Sequence, residues 1–150
     1  MTITFIGHSS LNIDNDLSNK IQETIKNIIA EESSVVFYCG GYGDFDLHCA
    51  EICRRLKTRI PDCEIVFITP YITLSQQEKI KCFLESDLYD SVIYPPLENI
   101  PLRFAISKRN EWMISESDVV IAYVSHSVGG AYKSLEYARR KKKKIFNLAE

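Results

Sequence analysis

The chain has 150 residues, 45% of them hydrophobic and 25% charged, which is typical of one globular domain and excludes a disordered chain. No apolar stretch approaches the roughly 20 residues that a membrane span needs, so no membrane contact is predicted. The formal net charge of −2 argues against a protein that binds nucleic acid through bulk positive charge.

Apolar runs and helical periodicity alternate along the chain. Leu17, Ile21, Ile25 and Ile28, for example, recur at the spacing of an amphipathic helix. The predicted strands cover residues 2–7, 35–39, 65–68, 90–94, 119–124 and 145–148. The predicted helices cover residues 16–31, 46–59, 74–85, 101–115 and 131–142, with Pro61 ending the second, Ser75 as a candidate cap of the third and Pro101 starting the fourth.

This alternation predicts a Rossmann-like, doubly wound α/β fold with about six parallel strands and helices on both faces, formed by residues 1–150 as a single domain. The chain has six glycines, and each directly follows the first, second or fifth predicted strand: Gly7, Gly40, Gly41, Gly43, Gly129 and Gly130. Ligands bind such sheets beyond the carboxyl ends of the strands, where the strand order reverses. The glycines therefore predict the order 4-3-2-1-5-6 and one pocket shared by three loops.

The segment 118–136 combines an apolar strand, the loop with Gly129 and Gly130, and an amphipathic helix. Glycines at a helix amino end let a phosphate approach free N–H groups, although glycines here are also compatible with turn chemistry alone. Lys133 and Ser134 fall in the first helical turn, where they could add contacts to an anion. The dinucleotide pattern G-x-G-x-x-G is absent after the first strand, so a dehydrogenase is not predicted. Ser127 and Tyr132 occupy positions where a P-loop requires glycine, so a P-loop NTPase is not predicted either.

Five side chains each have two interpretations. Arg109 is either a bidentate phosphate ligand or an exposed charge. His8 and His126 follow the first and fifth strands, where they either contact a ligand or serve as hydrogen-bonded structural residues. Asp44 either caps the second helix or contacts the ligand. Trp112 either makes a core or subunit contact, which is the favoured interpretation, or forms a platform on which a base stacks.

Five cysteines are present, an odd number without the spacing of a disulfide scaffold: Cys39, Cys49, Cys53, Cys63 and Cys82. They suit a reduced, cytoplasmic compartment and are interpreted as buried or half-buried structural thiols. A zinc site with His48, Cys49 and Cys53 is the weaker alternative, because no fourth ligand is evident. The first residues lack a basic region followed by an apolar core, so no signal peptide is expected.

At several of these positions the sequence resembles the SLOG superfamily, which includes the lonely-guy phosphoribohydrolases and the DNA-processing protein DprA, and it is most similar to the YpsA-like family of unknown function. The resemblance covers nearly the whole chain and rests on Gly7-His8, residues 40–46, residues 69–71, Arg109-Asn110 with Met113, Ser117-Asp118, Gly129-Gly130 and Glu136. It implies a nucleotide-binding domain that forms homo-oligomers.

Lonely-guy enzymes cleave the N-glycosidic bond of nucleoside 5′-monophosphates and carry an arginine, a methionine four residues later and then the motif P-G-G-x-G-T-x-x-E. Arg109, Met113, Gly129, Gly130 and Glu136 match this pattern. The proline, third glycine and threonine are replaced by Val128, Tyr132 and Lys133, so phosphate would be held partly by Lys133 and Ser134.

Glu136 is accordingly expected either to contact a ribose and assist cleavage or to pair with Arg139 or Arg140 on the helix surface. If the protein is an enzyme, Glu136 and Arg109 are the predicted catalytic residues.

The incomplete motif favours a module that binds a nucleotide or an ADP-ribose-like molecule as a sensor, carrier or sequestering protein. The alternative is a nucleoside 5′-monophosphate phosphoribohydrolase, and a DNA-associated protein is a third hypothesis that the acidic balance disfavours. No cofactor or metal is predicted. The candidate ligand-binding residues are Gly7, His8, Ser9, Gly40, Gly41, Asp44, Pro70, Arg109, Asn110, Ser127, Gly129, Gly130, Lys133, Ser134 and Glu136.

Overall fold

The computed structural model describes residues 1–60 and 62–150, so the predicted helix end at Pro61 lies outside the described residues. Within these ranges, strands and helices alternate as the sequence predicts. The strands are β1 (Thr2–Gly7), β2 (Ser34–Cys39), β3 (Asp62–Ile68), β4 (Ser91–Ile93), β5 (Val119–Tyr123) and β6 (Lys144–Asn147). The helices are α1 (Asn15–Ile29), α2 (Asp44–Leu56), α3 (Leu74–Glu85), α4 (Leu102–Ser115) and α5 (Gly130–Arg140), and a short 3-10 turn, Lys57–Arg59, follows α2.

The described strands form one parallel sheet in the order β4-β3-β2-β1-β5-β6. The predicted Rossmann-like fold and strand order are therefore confirmed. The chain winds outward from β1 to β4, crosses back through α4 and places β5 against the other side of β1, where Gly7 lies opposite Tyr123. The strand order reverses between β1 and β5, so a crevice opens beyond their carboxyl ends.

Alternate residues along each strand face opposite layers of helices, as the pleat of a strand requires. On one face, side chains such as Phe5, Phe37 and Phe67 form the larger hydrophobic core with α1, α2 and α3. On the other face, Ile6 and Val120 pack with α4 and α5 in a smaller core, and a third cluster joins β3 to Met113 of α4. Trp112 stacks on Tyr38 of the sheet, with ring centres 5.5 Å apart, so its predicted core contact is confirmed.

Side chains cap α1 and α3, at positions that the sequence analysis does not predict. Asp14 caps α1, its Oδ1 accepting the Leu17 N–H at 2.8 Å. Thr73 caps α3 by accepting the Gln76 N–H, so the prediction that Ser75 is the cap is wrong. No helix in the described part of the chain is both long enough and apolar enough to cross a membrane.

Asp44 does not cap α2, contrary to one of its predicted roles. It is the first residue of that helix, which begins two residues earlier than predicted, and the preceding Gly43 stands at the cap position with φ of 94° and no capping side chain. The Asp44 carboxylate instead accepts the Leu11 N–H at 2.9 Å, and its own N–H donates to the Ser9 carbonyl at 2.8 Å. Asp44 thereby anchors the loop after β1 to the start of α2.

Four of the five cysteines are buried or half-buried as predicted, whereas Cys82 is exposed, so the prediction is wrong for Cys82. Cys39, Cys49 and Cys53 are fully buried in the larger core, and burial raises the pKa of each thiol well above its ordinary value. A buried thiol with a raised pKa carries little thiolate and is unreactive. His48 lies within 2.9 Å of the Ser18 hydroxyl through Nε2, so it is engaged with α1.

Candidate functional site

A cavity of about 430 Å³ opens at the carboxyl ends of β1, β2 and β5, at the point where the strand order reverses. Its walls come from the loops after these three strands, from the first turns of α2 and α5, and from the middle of α4. Its size is that of a small-molecule site. The predicted ligand-binding residues that line it are Gly7, His8, Ser9, Gly40, Arg109, Asn110, Gly129, Gly130 and Ser134.

Six of the predicted ligand-binding residues are not part of this lining. Gly41 and Pro70 are buried, whereas Asp44 and Ser127 are exposed, and none of the four lines the cavity. Lys133 and Glu136 line an adjoining groove of about 500 Å³ between α4 and α5. The three loops that the glycines mark therefore converge as predicted, while contact with a ligand stays a prediction for every residue.

Arg109 is the main polar side chain in the wall of the cavity. It is only 4% exposed, so the interpretation of Arg109 as an exposed charge is wrong. Its Nη1 donates to the carbonyl oxygens of Gly40 and Ile68, both at 2.8 Å, and its Nε donates to Asn110 Oδ1 at 2.9 Å. These bonds join the ends of β2 and β3 to α4. Nη2 has no hydrogen-bond partner among the described residues, so it remains available for a ligand in the cavity.

Asp46 also lines the cavity, and the sequence interpretation did not include it among the site residues. Its two carboxylate oxygens accept the backbone N–H groups of Gly40 and Tyr42, each at 3.1 Å, and so hold the loop after β2 in place. Burial raises the pKa of Asp46, and the Gly40 N–H and the nearby positive charge of Arg109 act in the opposite direction. Its place in the first turn of α2, after a glycine loop, is the only local signal of this role.

Two histidines form a stacked pair at one side of the cavity. The rings of His8 and His126 are nearly parallel, with centres 4.0 Å apart, and both line the cavity. His8 Nε2 accepts the Ser125 N–H at 3.0 Å, so a neutral His8 carries its proton on Nδ1. Burial and the neighbouring His126 both lower the pKa of His8. Sequence reasoning considered both histidines but could not detect their pairing, because 118 residues separate them.

The reason that a position requires glycine differs from one glycine of the site to another. A Cβ at Gly7 would lie 2.3 Å from the Phe45 ring, and one at Gly41 would lie 2.5 Å from the Phe67 ring. These glycines are therefore required by packing inside the protein. Gly129 has a φ of +93°, which favours glycine. Gly130 has neither reason, because its φ is not positive and a Cβ there would meet nothing within 4 Å.

Gly130 begins α5, and this helix end is open toward the cavity. No side chain caps it, and the N–H groups of Gly130 and Ala131 have no partner among the described residues outside the helix. Uncapped N–H groups at a helix amino end, together with the positive end of the helix dipole, favour an anion. The Ser134 hydroxyl lies one turn further, buried and without a hydrogen-bond partner in the described ranges.

Glu136 and Arg109, the two predicted catalytic residues, face different cavities. Glu136 lines the groove between α4 and α5, and its Oε1 lies 2.6 Å from Arg139 Nη1. The surface ion pair that the sequence left open as an alternative is therefore present. Arg109 lines the first cavity and not the groove.

No protein-family model matches the chain, and no curated protein matches it. Among solved structures, the fold is similar to DNA processing protein A from Helicobacter pylori, described for its single-stranded DNA binding mode, at 17% identity with a TM-score of 0.63. It is also similar to DNA processing protein A from Streptococcus pneumoniae, at 14% identity and 0.66, and to TM1055, a structural genomics target, at 13% and 0.57.

These similarities cover 98%, 97% and 96% of this chain, and 64%, 49% and 71% of the three other chains. The chain thus spans about half to two thirds of the length of the two DNA processing proteins. At these identities the shared feature is the Rossmann-like fold.

Proposed function

We propose that the protein belongs to the SLOG superfamily and binds a nucleotide or an ADP-ribose-like molecule in the cavity beyond β1, β2 and β5. One observation carries this proposal. The uncapped amino end of α5 and the buried guanidinium of Arg109 line the same cavity, and each has N–H donors without a partner in the described part of the chain. Both features favour a phosphate group.

The other residues of the cavity suit the rest of such a ligand. Gly130 leaves space at the helix end for a phosphate to approach the backbone. The Ser134 hydroxyl and the Asn110 side-chain N–H group supply neutral hydrogen-bonding groups. The stacked rings of His8 and His126 and the apolar side chains of Ile106 and Met113 provide surfaces for a base or sugar. A few polar groups in a partly apolar cavity are typical of small-molecule sites.

The geometry favours binding over hydrolysis. Arg109 and Glu136 line different cavities, and Glu136 is paired with Arg139. The cavity carboxylate, Asp46, accepts backbone N–H groups with both oxygens, so it holds a loop in place. The protein is accordingly proposed to act as a sensor, carrier or sequestering module.

The test is a mass-spectrometric analysis of small molecules released when the purified protein is denatured, followed by incubation of native protein with the molecule found and with AMP. A nucleotide that raises the melting temperature and survives incubation supports the proposal, because a ligand that binds only the native state stabilises it. Free base and ribose phosphate as products would establish a phosphoribohydrolase instead. The absence of stabilisation by any saturating nucleotide would refute nucleotide binding.

Two further predictions, self-association from the resemblance and the absence of nucleic-acid binding from the charge balance, are part of this proposal. Self-association is tested by light scattering on the purified protein, which should give a mass above the monomer's 17.2 kDa. Nucleic acid is not the proposed ligand, because the formal net charge is −2 and the basic run 139–144 contributes no residue to the lining of the cavity. Salt-sensitive retention on single-stranded DNA would contradict this part of the proposal.

A further inference from the structure

The groove between α4 and α5 continues the cavity. The two depressions share four lining residues, Ile106, Asn110, Gly130 and Ser134, so both open onto the amino end of α5. The groove has about 500 Å³ of space, close to the 430 Å³ of the cavity. A molecule held at Gly130 can therefore occupy both depressions at once.

The groove carries unpaired positive charge. Its two acidic residues form ion pairs with basic residues outside the groove. Glu111 pairs with Lys108 at 3.2 Å, and Glu136 pairs with Arg139 at 2.6 Å. Its two basic residues, Lys133 and Arg140, have no ion-pair partner among the described residues. The side chains of the groove are thus able to balance the charge of an anionic group.

The positions of these two basic residues suit a second anionic group. Lys133 and Arg140 are seven residues apart on α5, which is almost two turns, so they project from the same face about 10 Å apart along the axis. The Arg140 guanidinium lies 5.7 Å from the centre of the Tyr137 ring, and the Tyr137 hydroxyl lies 2.8 Å from the Ser115 hydroxyl on α4. This bond fixes the ring, and the ring holds the guanidinium in the groove.

We infer that the ligand is longer than a mononucleotide: a molecule in which a nucleoside and a second nucleoside or sugar are joined through phosphate. This inference rests on the proposed function. The nucleoside lies in the cavity, one phosphate binds at the amino end of α5, and the second unit with its negative charge lies in the groove against Lys133 and Arg140. Both ADP-ribose and a 5′-phosphorylated diadenylate have this chemistry.

The experiment measures the affinity of the full chain for AMP, ADP-ribose and 5′-phosphorylated diadenylate by calorimetry. The variant is the double substitution Lys133→Ala and Arg140→Ala. The control is the double substitution Arg55→Ala and Lys81→Ala, which removes the same charge from exposed positions on α2 and α3 that line neither depression. Circular dichroism checks that both variants fold.

The expected result is that at least one of the two longer probes binds about tenfold more tightly than AMP to the parent and to the control. The groove variant should lose this advantage, so that the longer probes bind it no more tightly than AMP does. Equal losses for AMP and the longer probes, or no advantage of either longer probe in the parent, would overturn the inference while leaving nucleotide binding intact. If no probe binds, the proposed function fails and the inference fails with it.

Discussion

Replacing Gly130 with alanine should raise stability and weaken nucleotide binding. Gly130 is the first residue of α5, and its φ is not positive. A Cβ added at this position would have no heavy atom within 4 Å. Alanine restricts the unfolded chain without straining the folded one, so the free energy of unfolding should rise by about 0.4–1 kcal/mol. For a chain of this size the melting temperature should rise by about 1–4 °C.

The same methyl group occupies the space through which a phosphate reaches the helix amino end. AMP should therefore bind the Gly130→Ala variant at least about tenfold more weakly. Thermal denaturation without ligand and calorimetry with AMP measure the two effects separately. If the variant is more stable than the parent and yet binds AMP more weakly, glycine at position 130 is required for ligand binding and not for folding.

Gly7→Ala is the matched control, because its Cβ would lie 2.3 Å from a fully buried ring, that of Phe45. Overpacking of this kind should lower the free energy of unfolding by about 1–3 kcal/mol. If Gly130→Ala instead destabilises the protein, or if it binds AMP as tightly as the parent, the assignment of Gly130 to the ligand is refuted.

Three further predictions concern the side chains around the cavity. Asp46→Ala should lower the free energy of unfolding, measured by chemical denaturation, by about 2–4 kcal/mol. The substitution leaves the buried Gly40 N–H unpaired and the buried Arg109 without its nearby negative charge. A loss below about 1 kcal/mol would contradict the role of Asp46 in holding the loop after β2. An NMR titration should find the pKa of His8 below 6.5, and His126→Gln should raise it, whereas an unshifted value would contradict the stacked pair. Since unfolded His8 takes up a proton at a higher pH than folded His8, this contribution to stability is present above about pH 6.5 and is lost as the pH falls below it. A thiol reagent should label the exposed Cys82 first and should label Cys39, Cys49 and Cys53 only after denaturation. Mass spectrometry of the digested protein measures the labelling of each cysteine. Early labelling of Cys39, Cys49 or Cys53 would contradict their burial.

The sequence alone predicts the sheet and the general place of the site, because both follow from local patterns. Apolar runs such as residues 119–124 and helical spacings such as Leu17 to Ile28 repeat over a few residues, and their alternation requires a parallel sheet. Glycines after the first, second and fifth strands then indicate where the strand order reverses. Arg109 and Gly130 could be chosen as site candidates on this basis.

Only the tertiary structure decides what these residues do, because their partners are distant in the chain. Arg109 bonds Gly40 and Ile68, which are 69 and 41 residues away, and this burial could not be read from a helix pattern that suits an exposed charge equally well. The strand register likewise brings His8 against His126. Gly7 and Gly130 look alike in the sequence, yet Phe45 fills the space beside one and nothing fills the space beside the other. Local sequence determines which elements form, whereas the packing of elements far apart in the chain determines which side chains are engaged by the protein and which remain available to a ligand.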